Sequence, residues 1–245
     1  ERPLLWLYGA SAGELTGAAA VVSELRRRGD LQLLATYFSP SAEAVLDRLR
    51  PDVAEVLPLD TRGDTSRALR AVRPDALVFA KGDVWPNLTR SAEGRGVAMG
   101  LVNGTVRPGS SRLRWPARRL LRSAHARLAR AGAASEEDAR RLVRLGVREE
   151  ALAVTGDASA AWALDRVRRA SSDPRSPARL LERRAAGRGP LLVAGSTWRE
   201  DEAAILEAAA RMRASGRPLR LCLVPHDPTP EAIDEFKSAL KLEYH

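Results

Sequence analysis

The feature that most constrains the fold is the alternation of short apolar runs with longer amphipathic runs along most of the chain. This alternation is typical of βα units that build a mostly parallel sheet. The predicted strands lie near residues 4–8, 32–36, 55–57, 76–79, 98–102, 127–131 and 151–155. The predicted helices lie near residues 14–28, 42–49, 65–72, 86–95, 116–123 and 136–145.

These elements predict an α/β chain that begins with one doubly wound, Rossmann-like domain, residues 1–165. Residues 166–190 are rich in charge, proline, glycine and serine, and we interpret them as a linker with one short helix. Residues 191–245 then start a second unit of the same kind, in the order strand, helix, strand and helix. Since four elements are few for a doubly wound domain, we expect this second unit to be incomplete.

Composition narrows the classes of function. The chain has 245 residues and a net charge of +9, and all but three of its 40 cationic residues are arginines. This surface favours anionic partners, although a general arginine bias would give the same excess. Aromatic residues make up only 4% of the chain, so we expect no nucleic-acid partner. One cysteine fits a reducing compartment, and the sequence has neither a long apolar run nor a secretory signal pattern.

The first strand ends in the turn GASAGE, which places Glu14 at the start of a helix. We expect Gly9 and Gly13 to provide positive φ angles in this turn. The first turn of a helix favours a carboxylate, so Glu14 is either an ordinary helix-start acid or a general base in an open loop.

Two further strand ends carry polar side chains, and ligands of open parallel sheets bind outside the carboxyl ends of the strands. Ser39 and Ser41 precede a helix, where they either bind a phosphate or sugar or simply cap the helix. Lys81, Asp83, Trp85 and Asn87 crowd the loop after the fourth strand, which is more than capping requires. Trp85 as a core residue and Pro86 as the first helical residue would explain half of this pattern.

The second unit has a corresponding strand end. Gly195, Ser196 and Thr197 offer close approach, hydroxyl groups and the positive end of the next helix, all of which suit a phosphate. His226 follows the next strand and either donates to a phosphate or is a solvated turn residue. The sequence contains no P-loop, nucleophile elbow, zinc motif or GxGxxG loop, so we expect no metal and no nicotinamide cofactor.

Taken together, these segments resemble the 3-deoxy-D-manno-octulosonic acid (Kdo) transferase family of lipopolysaccharide synthesis. The resemblance runs from residue 5 to about residue 228. Six segments carry it in order: WLYGASAGE, TYFSPSAEA, KGDVWPNL, LVNGTV, VTGD and VAGSTWREDE. Each is weak alone, and their common order makes the resemblance specific.

The resemblance implies the GT-B fold and an inverting, metal-independent transfer of Kdo from CMP-Kdo to a phosphorylated lipid A precursor of the lipid IVA type. Glu14 inherits the role of catalytic base and Asp83 an acidic catalytic role. The implied acceptor-binding residues are Ser11, Gly13, Ser39, Ser41, Lys81 and Asn87. The implied donor-binding residues are Gly195, Ser196, Thr197 and His226. No cofactor is implied, because CMP-Kdo is a substrate.

The family also implies work at the cytoplasmic face of the bacterial inner membrane, either peripherally or through an anchor that precedes Glu1. The arginines of residues 107–130, interleaved with Leu113, Trp115, Leu120 and Leu121, predict a helix that contacts this anionic surface, although half of it is equally suited to the core.

The chain departs from the family pattern at two strand ends. Lys81 stands where the family usually has an acidic residue, and His226 alone remains in a loop that usually carries an arginine or another basic residue. The family's later nucleotide-binding segments lie beyond the end of this sequence.

Two alternatives stay open at this point. One is a non-catalytic fragment or scaffold that binds the lipid A precursor. The other is a related GT-B enzyme with another nucleotide sugar.

Overall fold

The computed structural model describes residues 2–185, 190–217, 219–227, 229–231 and 233–234. The chain folds into two compact units, Glu1–Val167 and Arg168–His245. Within the described residues, no helix is both long enough and apolar enough to cross a bilayer.

The first unit is a parallel sheet of seven strands in the order β3-β2-β1-β4-β5-β6-β7. Its strands are β1 (Leu4–Tyr8), β2 (Gln32–Tyr37), β3 (Val53–Val56), β4 (Ala76–Ala80), β5 (Ala98–Gly104), β6 (Arg130–Ala133) and β7 (Leu152–Val154). The helices between them are α1 (Ala12–Arg28), α2 (Glu43–Leu49), α3 (Arg62–Val72), α4 (Pro86–Glu93), α5 (Ala117–Ala126) and α6 (Glu136–Leu145), and α7 (Ala158–Ser172) follows β7.

Strand order reverses between β1 and β4, since the chain first runs from β1 outward to β3 and then returns to add β4 on the other side of β1. Two apolar clusters cover the faces of the sheet. One packs the α1 and α2 side around Leu7 and Leu15, and the other packs the α3 to α6 side around Tyr8 and Phe79. The carboxyl ends of β1 and β4 therefore form the switch point, where such sheets bind ligands.

The second unit contains a parallel pair, β8 (Leu191–Thr197) with β9 (Arg220–Pro225), and the helices α8 (Pro177–Ala185) and α9 (Arg199–Ala214). Residues 166–190, interpreted above as a linker with one short helix, contain the end of α7 and all of α8. Cys222 lies on β9 and is half-buried. The final lysines, Lys237 and Lys241, lie outside the described residues.

Three local predictions were wrong. Strand β6 begins three residues later than predicted because α5 extends to Ala126, and the Arg127 N–H bonds to the Ala124 carbonyl oxygen in its last turn. Helix α7 was missed, since it buries no residue fully and runs into the charged segment that was interpreted as a linker. Gly9 and Gly13 do not have positive φ angles. A Cβ at Gly9 would instead lie 2.6 Å from the Leu15 side chain, so close packing requires this glycine.

Candidate active site

Glu14 lies in the first turn of α1, directly beyond the end of β1. Its Oε2 accepts a hydrogen bond from the Ala10 N–H at 2.6 Å, which folds the carboxylate back over the turn that precedes the helix. The side chain is half-buried. The turn therefore fixes one oxygen of a carboxylate at the switch point of the sheet.

Burial raises the pKa of the Glu14 carboxyl above its usual value, and this is the largest influence on the group. The hydrogen bond from Ala10 and the charges of Lys81 and Arg112 lower the pKa, while the charge of Asp83 raises it. The start of α1 was expected to favour the charged carboxylate of Glu14. Burial acts in the opposite direction and is the larger influence on its pKa. A carboxylate with a raised pKa is a better proton acceptor near neutral pH.

Lys81 follows the last residue of β4, on the strand next to β1. Its ammonium lies close to the start of α1, because a Cβ placed on Gly13 would be 3.9 Å from Lys81 Nζ. Its backbone has a φ of 63°, and it is held in that conformation by the Lys81 N–H bond to the Val102 oxygen and by the Thr105 N–H bond to the Lys81 oxygen. The first unit thus brings Lys81 and Glu14 together, as the strand-end argument predicted.

Asp83 pairs with Arg112, whose other amino group donates to the Gly82 carbonyl oxygen at 3.2 Å. Arg112 comes from a single 3₁₀ turn after β5, so the pair joins the loops that follow two adjacent strands. Both charges act on Glu14. The sequence did not single out Arg112, since one arginine among so many gives no signal.

The serines of the second strand end pack onto the first. Ser41 Oγ is 3.0 Å from Ser39 Oγ and 3.4 Å from the Ala12 N–H, and the Ser39 N–H donates to the Ala10 carbonyl oxygen at 2.8 Å. Ser39 caps one 3₁₀ turn, as the capping alternative predicted. Ser11 precedes α1 without a capping hydrogen bond from its side chain, so its hydroxyl is not used by that helix.

Asn87 is held by the fold itself. Its side-chain amide donates to the Asp60 carbonyl oxygen at 2.6 Å, and the backbone N–H groups of Asn87 and Leu88 donate to the two carboxylate oxygens of Asp60. Asp60, which the sequence analysis missed, therefore occupies the N-terminus of α4. Asn87 therefore lies at the edge of the site, but its side-chain amide is already hydrogen-bonded to Asp60.

Asn103 lies at the end of β5, within the segment LVNGTV, to which the sequence assigned no site residue. It is buried, has a φ of 54°, and accepts the Ala158 N–H at 3.0 Å, which fixes the start of α7. Next to it, the pKa of Asp157 is lowered by hydrogen bonds from Ser159 and, more weakly, by Lys81.

Left-handed backbone conformations mark the same places. Non-glycine residues adopt them rarely, and they cluster at functional sites. Of the described non-glycine residues with positive φ, two end helices, and the others are Lys81, Asn103 and Ser196, each at the end of a strand. The backbone therefore singles out strand ends in both units.

A cavity of about 580 Å³ opens beside Glu14's charged neighbours. Asp83 and Arg112 line it, together with Asp60, Arg62, Arg90, Trp85, Leu120 and Leu121. Glu14 is not part of the lining. Trp85, which is half-buried, packs edge-to-face on the buried Tyr8, and burial raises the pKa of Tyr8 to about 12.

The second unit brings most of its predicted residues together. Ser196 Oγ is 2.7 Å from His226 Nδ1, and the His226 ring stacks on Trp198 with a centroid distance of 4.5 Å. Thr197 instead donates its hydroxyl to Glu202 and is buried. A Cβ on Gly195 would meet nothing within 4 Å, so the space above this glycine is open.

Of the four apolar residues predicted to face a membrane, Trp115 and Leu120 are strongly exposed, at 75% and 68%. Leu113 is buried in the core, because its 3₁₀ turn packs against α5 and α6, and Leu121 is half-buried. Leu113 therefore belongs to the half of the segment that was equally suited to the core. Trp115 also lines a groove of about 400 Å³ with Arg118, Arg119, Arg122 and Arg144.

Comparison with known proteins gives one family. Residues 1–160 match the model described as "3-Deoxy-D-manno-octulosonic-acid transferase (kdotransferase)". The chain is 30% identical to the 3-deoxy-D-manno-octulosonic acid transferase of Bordetella pertussis, over 97% of this chain and 55% of the relative. It is 26% identical to that of Chlamydia muridarum, over 64% of this chain and 37% of the relative. The chain thus spans about half the length of the Bordetella protein.

Solved structures agree on the fold. The UDP-GlcNAc 2-epimerase of Neisseria meningitidis superposes with a TM-score of 0.67 at 13% identity, covering 98% of this chain and 69% of that one. MurG of Acinetobacter baumannii superposes with a TM-score of 0.51 at 11% identity, covering 95% of this chain and 68% of that one. These likenesses confirm the predicted GT-B fold class.

Proposed function

This chain belongs to the 3-deoxy-D-manno-octulosonic acid transferase family, and from that membership we propose that it transfers Kdo from CMP-Kdo to a phosphorylated lipid A precursor of the lipid IVA type. In this reaction a sugar hydroxyl oxygen of the acceptor attacks the anomeric carbon of Kdo. The bond from that carbon to the phosphate oxygen breaks, CMP leaves with the electron pair, and the configuration is inverted.

The observation that carries the proposal is the placement of Glu14. Its carboxylate lies at the switch point with one oxygen held by Ala10, and burial raises its pKa. In the proposed step Glu14 takes the proton from the attacking hydroxyl, and such a general base supplies about 10²–10⁴-fold in rate. Lys81 and the Asp83–Arg112 pair surround the base, and their opposing charges tune its proton affinity.

We assign acceptor contacts to the strand ends around Glu14. Ser11 and Gly13 lie at the start of α1, Lys81 follows β4, and Ser39 and Ser41 extend the same edge. The Ser11 hydroxyl and the Lys81 ammonium are the groups best suited to a sugar or phosphate, since neither is needed to cap a helix. Asn87 contributes indirectly, through its bonds with Asp60.

We assign donor contacts to Gly195, Ser196, Thr197 and His226 in the second unit. The 2.7 Å contact between Ser196 and His226 and the open space above Gly195 suit an anion such as the phosphate of CMP-Kdo. In this role Thr197 acts through its backbone, because its hydroxyl bonds to Glu202.

We further propose that the protein works at the anionic cytoplasmic face of the bacterial inner membrane. Exposed Trp115 lines a groove with several arginines, and exposed Leu120 lies on α5, the helix that carries three of them. This combination of an aromatic, an aliphatic and several cationic side chains is typical of interfacial surfaces.

The decisive experiment offers CMP-Kdo with lipid IVA in detergent and follows CMP release and product mass, with and without EDTA. We expect a Kdo-modified lipid in both conditions. A thermal shift with UDP sugars and none with CMP-Kdo would favour another nucleotide sugar. Binding of lipid IVA without any transfer would favour a non-catalytic acceptor-binding protein.

A further inference from the structure

The cavity of about 580 Å³ contains positive charge that the fold does not use. Of the arginines that line it, Arg112 is paired with Asp83. Arg62 at the start of α3 and Arg90 on α4 have no hydrogen-bond or ion-pair partner for their guanidinium groups in the part of the chain that the structure describes. Most charged pairs seen elsewhere in the first unit join an arginine to a carboxylate a few residues away, as Arg67 does with Asp64.

The acidic residues of the same cavity are already satisfied. Both carboxylate oxygens of Asp60 accept backbone N–H groups from the start of α4, at 3.1 Å from Asn87 and 2.8 Å from Leu88. Asp83 is neutralised by Arg112. Within the described residues, the cations of the lining that lack a partner are therefore Arg62 and Arg90, and they outnumber the remaining anion, Asp60, two to one. Because Asp60 occupies the N-terminus of α4, those amides cannot hold an incoming anion, and the guanidinium groups must do so.

Part of the lining is apolar. Leu120 and Leu121 on α5 line the cavity with Trp85 and Pro86, and Leu120 is exposed. Guanidinium groups bind phosphate in a planar, bidentate manner, and a volume of this size accommodates a phosphorylated sugar. The lining thus combines two free cations with an apolar wall, which matches a phosphorylated sugar that carries an acyl group.

We propose that this cavity binds a phosphate of the glycolipid acceptor, with Arg62 and Arg90 on the phosphate and Leu120 and Leu121 against the apolar part of the lipid. This inference rests on the proposed function and adds to it a phosphate subsite on two arginines that the sequence did not single out. Asp83 and Arg112 line the cavity and also act on Glu14, so the subsite adjoins the groups around the proposed base.

The test measures binding of lipid IVA, of lipid IVA dephosphorylated by a phosphatase, and of inorganic phosphate to the full 245-residue chain in detergent. The variants are Arg62→Gln and Arg90→Gln. The matched control is Arg67→Gln, which removes an exposed arginine of the same helix as Arg62 that already has a partner in Asp64. We expect each of the two variants to weaken lipid IVA binding roughly tenfold, since a hydrogen bond to a charged group is lost.

Arg67→Gln should bind lipid IVA as tightly as the wild type does. Arg62→Gln and Arg90→Gln should bind the dephosphorylated lipid as tightly as the wild type does. Inorganic phosphate alone should bind weakly and compete with lipid IVA only at high concentration. Equal affinity of wild type and both variants for lipid IVA overturns the subsite, as does an equal loss in Arg67→Gln, which indicates unspecific attraction by the basic surface. Transfer activity separates the two proposals. If both variants transfer Kdo with an unaltered KM for lipid IVA, the subsite is contradicted and the proposed function is supported. If lipid IVA binding depends on the two arginines but no transfer occurs, the subsite is supported and the proposed function is contradicted.

Discussion

Asn103 on β5 and Gly17 on α1 are in direct contact, and the contact depends on the missing side chain of the glycine. A Cβ at residue 17 would lie 2.4 Å from Asn103 Nδ2 and 3.1 Å from Ser159 Oγ. Asn103 in turn holds the start of α7 by accepting the Ala158 N–H. One glycine in a helix thus allows α1, the end of β5 and α7 to pack together.

Gly17→Ala should therefore lower the free energy of unfolding, although alanine is normally the better helix residue. We expect a loss of about 1–3 kcal/mol from overpacking, which outweighs a helix-propensity gain of about 1 kcal/mol. Chemical denaturation measures it. Gly29→Ala is the control, because a Cβ there meets nothing within 4 Å; a Gly17→Ala protein as stable as this control would contradict the packing.

Glu14→Gln should reduce turnover by about 10²–10⁴-fold and leave the fold intact, because glutamine can still accept the Ala10 N–H but cannot take a proton. The measurement is kcat for Kdo transfer with lipid IVA. Glu24→Gln provides the control, since it changes a partly exposed glutamate of the same helix that pairs with Arg27 and Arg28. If Glu14→Gln loses acceptor binding and keeps its turnover, Glu14 is not the base.

Lys81→Met should move the acidic limb of the pH profile of kcat/KM to higher pH. Lys81 lowers the pKa of Glu14, so its removal raises that pKa further, and the base becomes protonated at a higher pH than in the wild type. Asp83→Asn should move the limb the other way, because the charge of Asp83 raises the pKa. Shifts of both variants in the same direction would show that these charges do not set the proton affinity of the base.

His125 should make the first unit less stable as the pH falls. Burial lowers the pKa of the ring below its usual value, and the charge of Arg112 adds to this, so the folded protein holds the neutral form. The unfolded chain binds a proton near pH 6.5 that the folded chain does not bind, and below this pH stability should decline by up to about 1.4 kcal/mol per pH unit.

Denaturation between about pH 5.5 and 7.5 tests this linkage. In His125→Gln the slope of stability against pH should flatten, whatever the absolute stability of the variant. An unchanged slope in His125→Gln would assign the acid sensitivity to other groups.

The sequence predicted the sheet and the edge where polar side chains gather, because apolar periodicity and strand ends are local properties. Glu14, Lys81 and Asp83 do meet there. Arg112 was not predictable, since its pairing depends on how the loop after β5 folds back towards β4. Asp60 was missed for the same reason, because it caps a helix that starts far beyond it in the chain.

Two other errors have a physical source in packing. Gly9 looked like a turn glycine, but it is required by the Leu15 side chain, which a local rule about φ angles does not see. Helix α7 buries no residue fully and is fixed at its start by Asn103, and its charged second half was interpreted as part of the linker that follows. Residue roles that depend on contacts between distant segments could therefore not be predicted from the sequence.

Because the Asp83–Arg112 ion pair lines the neighbouring cavity and both of its charges act on Glu14, an anion bound in that cavity should change the proton affinity of Glu14. An anion held by Arg62 and Arg90 adds negative charge beside the pair and should raise the pKa of Glu14, as the charge of Asp83 does. By thermodynamic reciprocity, protonation of Glu14 must then favour the same anion by an equal factor. Proton uptake on binding of a phosphorylated ligand would be the calorimetric signature of this coupling, and it would make such a ligand most tightly held when the base is least able to act.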